Sequence, residues 1–73
     1  MNQKMKRFAC HEIVLADGSR QTLSVVEILS GEVVRWYPLK EELPFTQWLP
    51  GSIELRHDHE GALHAYYNNV MIN

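Results

Sequence analysis

Three of the chain's four histidines stand close together, at His57, His59 and His64, and they are the side chains whose spacing comes nearest to chemistry. Imidazoles two apart on an extended strand point to one face, and three together make a zinc-ligand set. Whether the third joins depends on a hairpin register. A two-residue loop at Glu60-Gly61 sets His57 opposite His64, but it parts Ile53 and Leu55 from Leu63, Ala65 and Tyr67. A three-residue loop, His59 to Gly61 with the glycine left-handed, pairs 53 with 67, 55 with 65 and 57 with 63. The apolar residues then share a face, and His64 joins Glu54, Arg56 and Asp58 outside. A one-residue slip forfeits several buried side chains, each worth roughly 1.5–3 kcal/mol. The pattern therefore selects the three-residue loop, with His57 at the rim and His64 in solvent. A metal held by His57, His59 and His64 is the disfavoured alternative, and no cofactor is expected.

The remaining reactive residue types read as structure. Cys10 is the only cysteine, so it forms no internal disulfide, and with no basic cluster beside it the thiol is a small core hydrophobe. Glu41 and Glu42 are adjacent and do not face one another as an acid–base pair would; they belong to a solvated turn. Asp17-Gly18 and Ser30-Gly31 are turn signals without the length of a phosphate loop. No catalytic residue and no enzyme activity are expected.

The elements that must position these residues are strands. Phe8 to Leu15, Gln21 to Leu29 and Glu32 to Tyr37 are rich in β-branched and aromatic residues and are separated by the two glycine turns. Such short turns predict an antiparallel meander. Two-residue loops place Cys10 opposite Val25 and Val25 opposite Trp36. One face then holds Phe8, Cys10, Val14, Leu23, Val25, Val34 and Trp36. The other still carries Ala9, Ile13, Val26, Ile28 and Val33. Neither face is polar, so the sheet must curl on itself or be covered on its second side.

Lys40 to Leu49 breaks the alternation. Phe45, Trp48 and Leu49 sit three and four apart, which predicts a short helix or 3₁₀ turn near residues 40–49, laid across the sheet with Phe45 and Trp48 plugging the core. Pro50-Gly51 is a turn. Ser52–Asp58 and Ala62–Tyr67 form a last hairpin, and Asn68-Asn69 a bend before a short edge strand. The expected fold is mainly β: a small curled antiparallel sheet or barrel of five to six strands, one domain over residues 1–73, with 1–6 frayed.

Size and charge bound the function. Seventy-three residues bury only about 60% of the unfolded surface, so stability is thin and a second subunit is a common remedy. A net charge of −2 offers no basic face for nucleic acid. Phe8-Ala9-Cys10 runs at once into His11 and Glu12, leaving no apolar core for a signal peptide. No apolar run approaches the roughly 20 residues of a membrane span. A cytoplasmic protein without nucleic-acid or membrane partners is expected.

The run Gly31-Glu32-Val33-Val34-Arg35, then Leu49-Pro50-Gly51-Ser52-Ile53-Glu54-Leu55 and His57-Asp58-His59-Glu60-Gly61, resembles the entry to amidohydrolase-superfamily enzymes. There a small β domain leads into a barrel strand reading Pro-Gly-x-Ile-Asp-x-His-x-His-x-Gly, whose histidines bind the catalytic metal. Here the histidines fall seven and nine residues after Pro50, where the family has six and eight, an offset that turns the imidazoles to the other strand face. A barrel of about 250 residues does not fit into this chain, so the resemblance implies the small β domain alone. Tyr37-Pro38-Leu39, Glu42, Thr46, Trp48-Leu49, Gly51, Ile53 and Leu55 also look like a family of short uncharacterised bacterial proteins, a likeness that brings no activity.

The function expected is a non-catalytic module that acts through a surface, by self-association or by binding a partner protein. Trp36, Tyr37, Phe45 and Trp48 are its candidate residues, with Tyr66 and Tyr67 a second group. The alternatives are a small-ligand module under the Phe45–Trp48 lid, and a metal protein or hydrolase remnant using the C-terminal histidines.

Overall fold

Turn chemistry sets the first half of the fold. Ser30 and Gly31 both take positive φ, 54° and 80°, and make the two-residue turn whose twist suits a hairpin. The computed structural model describes residues 4–72. Its elements are β1 (Met5–Val14), β2 (Arg20–Leu29), β3 (Glu32–Pro38), β4 (Thr46–His57), β5 (Leu63–Tyr67) and β6 (Val70–Met71). They form one sheet in the order β3-β2-β1-β4-β5-β6, curled into a half-barrel. Of the residues read as frayed, Met5 and Lys6 are strand, paired with Leu29 and Ile28; residues 1–3 lie outside the described part.

The sheet is mixed. β1 pairs with β2 antiparallel and with β4 parallel, so the all-antiparallel expectation fails at one junction. The segment 39–45 causes it, crossing from β3 over β2 and β1 to reach β4. Three strand spacings are about 14 Å, within the reach of seven extended residues, about 23 Å. No helix is therefore needed for the crossover, and none occurs among the described residues, nor any helix long and apolar enough to cross a membrane. The helical turn expected near residues 40–49 is instead a bend and a turn, with Thr46 to Leu49 already in β4. Pro44 stops any helix begun by Glu41-Glu42. Leu39 N–H donates to the Leu23 carbonyl at 2.8 Å, and Arg7 Nη1 to the Pro44 carbonyl at 3.3 Å, tying down both ends of the crossover.

Three irregularities shift the expected registers. The first loop has three residues, 16–18, closed by Leu15 N–H to Ser19 O at 2.8 Å, so Cys10 faces Ser24 and not Val25. The second hairpin slips between Glu27 and Ile28, which sets Val25 opposite Tyr37 and Val26 opposite Trp36. Pro50-Gly51 does not end a strand. β4 runs through it with an extra residue against β1, and Gly51 at φ 103° supplies the bulge conformation. Cys10 and Ile13, three apart, both enter the core, so β1 changes face at His11-Glu12.

The core consequently draws on both of the expected faces. Phe8, Cys10, Ile13, Val26, Ile28, Val33, Ile53, Leu55 and Ala65 form one buried cluster on the concave side. Ala9 and Val25 are buried on the convex side, where Leu39 and Leu43 of the crossover share a depression with Ala9. The sheet is thus both curled and covered. The C-terminal half follows the apolar pattern closely. Leu55 pairs with Ala65 and His57 with Leu63, the loop is 59–61 with Gly61 at φ 89°, and Asn68-Asn69 turns into β6.

Candidate functional site

β3 and β5 approach one another across the mouth of the half-barrel without pairing. At one end of this opening lies a cavity of about 250 Å³ lined by Leu15, Asp17, Trp36, Leu55, His57 and Leu63. β3 brings Trp36 there because the slip at Glu27/Ile28 turns it inward, opposite buried Val26. Val34 and Trp36 on this edge strand remain 45% and 39% exposed.

The other aromatic residues singled out in the sequence are dispersed. Tyr37 points to the convex side and donates its hydroxyl hydrogen to Glu27 Oε2. Phe45 is 94% exposed at φ 54°. Trp48 is half exposed on β4 and meets His11 edge-on at 4.8 Å, while His11 Nδ1 accepts the Gly51 N–H at 2.9 Å. The Phe45–Trp48 lid does not form: the crossover lies on the convex side, away from the main core. Tyr66 lies under the Arg56 guanidinium at 4.4 Å, and the Tyr67 hydroxyl donates to the Pro50 carbonyl. Of the six aromatics, only Trp36 lines the cavity.

The three histidines also separate. His57 lines the cavity, His59 sits exposed in the loop, and His64 points to the other strand face. Among the described residues no three His, Cys, Asp or Glu side chains are grouped as a metal would require. His64 is not solvated as expected. Its Nδ1 lies 2.8 Å from the Gly31 carbonyl and its Nε2 2.8 Å from Asp58 Oδ2, with the side chain 18% exposed. The hydrogen bond to Asp58, then that to Gly31, raises the His64 pKa. The same contact, with the Glu60 and Ala62 amides, holds Asp58 at about 2. Sequence reasoning placed His64 and Asp58 on one face but could not bring the Ser30-Gly31 turn, 33 residues away, against them.

A second polar cluster was missed. Glu27, only 4% exposed, receives Arg7 Nε at 2.9 Å, Arg35 Nε at 3.0 Å and the Tyr37 hydroxyl. Burial pushes the Glu27 pKa up, but the Tyr37 and Arg7 hydrogen bonds and the arginine charges outweigh it and leave it lowered. Tyr37 is raised, by burial first and by Glu27 next. The signal was present: a carboxylate inside Val25-Val26-Glu27-Ile28-Leu29 needs partners. Cys10 behaves as read. Burial raises its pKa, and the thiol donates to the Glu12 carbonyl at 3.2 Å.

No protein-family model, curated protein or solved structure matches the chain.

Proposed function

We propose that this chain is a non-catalytic cytoplasmic binding module that works through the open side of its half-barrel, taking a second copy of itself or a partner protein. The observation that carries this reading is the exposure of Val34 and Trp36 on one edge strand, next to an apolar cavity. Edge strands with uncovered apolar side chains are pairing sites unless something blunts them. Here Arg35 alternates with the two, but it is drawn away to Glu27. A domain this small also gains from burying more surface.

Light scattering across a hundredfold concentration range tests the reading. Growth of the mass beyond the 8.5 kDa chain, abolished by Val34→Lys with Trp36→Ser, is the expected result. A strict monomer that captures no partner, with the double variant indistinguishable from the parent, overturns it.

A second reading, binding of a small ligand, is favoured by the cavity itself, whose leucines and Trp36 are joined at the rim by Asp17 and His57. This moves the ligand site from the Phe45–Trp48 segment to the barrel mouth. A saturable change in tryptophan emission that Trp36→Leu removes and Trp48→Leu spares would support it; a response that depends on Trp48 alone would sink it.

A further inference from the structure

Among the described residues, His64 is the one side chain whose two ring nitrogens both meet groups able only to accept. The Gly31 carbonyl has no proton to give, and Asp58, held at about 2, has none above acid pH. A neutral imidazole carries a single N–H, so it can satisfy one of these contacts and must turn a lone pair on the other. Only the imidazolium donates to both, at 2.8 Å each.

The position of the two acceptors gives this chemistry a mechanical meaning. Asp58 belongs to the β4–β5 loop, which it organises by accepting the Glu60 and Ala62 amides on Oδ1 at 2.8 and 3.0 Å. Gly31 belongs to the β2–β3 turn at the far end of the strand order. The sheet's hydrogen-bonded ladder joins β3 only to β2, and β5 only to β4 and β6. The imidazole therefore bridges two rims that strand pairing leaves separate. The charged groups facing it are Asp58 from the loop, Glu32 at the start of β3, and Arg56 opposite on β4. Arg56 is itself engaged by Glu54 at 2.6 Å and Asn69 at 3.1 Å.

We propose that His64 is a proton-dependent clasp: the imidazolium fastens the β2–β3 turn to the β4–β5 loop, and loss of one proton releases the turn. The charge-assisted bond to Asp58 is the stronger of the two, so the remaining hydrogen stays on Nε2. The lone pair of Nδ1 then confronts the Gly31 carbonyl. The folded form holds the proton more tightly than the unfolded chain. The contribution of the clasp is thus complete below the ordinary histidine value of about 6.5 and vanishes as pH climbs through the higher folded value.

Imidazole and amide NMR shifts of the intact chain, followed from pH 5 to 9, decide the matter. The His64 ring is expected to titrate above the ordinary value, with the Gly31 and Glu32 amides moving at the same midpoint and their hydrogen exchange accelerating on the alkaline side. Asp58→Asn should bring that midpoint down toward the ordinary value. His64→Gln should abolish the pH dependence of the turn amides. If either variant fails to fold, the parent titration still decides. A His64 midpoint at or below the ordinary value, or turn amides indifferent to it, overturns the clasp.

Discussion

Two polar clusters stabilise this small sheet, and they differ in what they join. Glu27 gathers Arg7, Arg35 and Tyr37 from β1 and β3 onto β2, three strands already laced by their own ladders. His64 links the β2–β3 turn to the β4–β5 loop, which have no ladder between them. The first cluster holds a buried carboxylate in a place where it would otherwise be intolerable. The second holds a gap closed. Their proton logic is opposite: Glu27 must lose its proton and His64 must keep both of its own. A protein built on both should be most stable between the two titrations.

Several changes would break or sharpen this contrast. The largest effect is expected from Glu27→Ala, which takes the acceptor from the Tyr37 hydroxyl and from Arg7 and leaves a small hole beside them, while the exposed Arg35 turns to solvent. Urea unfolding at neutral pH should show a loss of roughly 1.5–3 kcal/mol; a loss under about 0.5 kcal/mol, the ordinary range for surface positions, would demote the cluster to decoration. The next is a change of slope. The Glu27 contribution is complete above the unfolded carboxyl value of about 4.3 and is lost as pH falls through the lower folded value. Glu27→Gln should therefore shrink the acid limb of stability against pH, leaving the share that Asp58 contributes, and should not move the His64 midpoint.

Smaller effects grade the donors. Tyr37→Phe removes one hydrogen bond to the carboxylate and should cost about 1 kcal/mol. Arg35→Ala, whose side chain is 63% exposed, should cost no more than about 1 kcal/mol, so a larger loss would mean that Arg35 and not burial sets the cluster. Combining Glu27→Gln with His64→Gln tests independence. The two share no partner, and their effects should add within about 0.5 kcal/mol. Clear coupling would show that the ladder side and the open side respond as one.

The contrast also explains what could be read from residues alone. The last hairpin came out in register because Ile53, Leu55, Ala65 and Tyr67 leave only one pairing that buries them together. The first two hairpins came out shifted because a three-residue loop at 16–18 and a slip at Glu27/Ile28 each move a strand by one position. A one-residue slip exchanges faces, and with apolar residues on both sides of β2 neither choice looked wrong. Cys10 in the core was legible. Phe45 and Trp48 were misplaced because helical spacing in a segment too short for a helix says nothing about which side of a sheet it will cover.

By itself the sequence determined that this chain is strands and turns curled around an apolar core, because side-chain alternation and glycine-bearing turns are local properties that no distant contact has to supply. Tertiary structure decided the parallel seam between β1 and β4, the face covered by residues 39–45, and the company kept by Glu27 and His64. Those outcomes depend on where a crossover lands and how far a sheet curls. Both are set by contacts between residues far apart in the chain, and no window of neighbouring residues contains them.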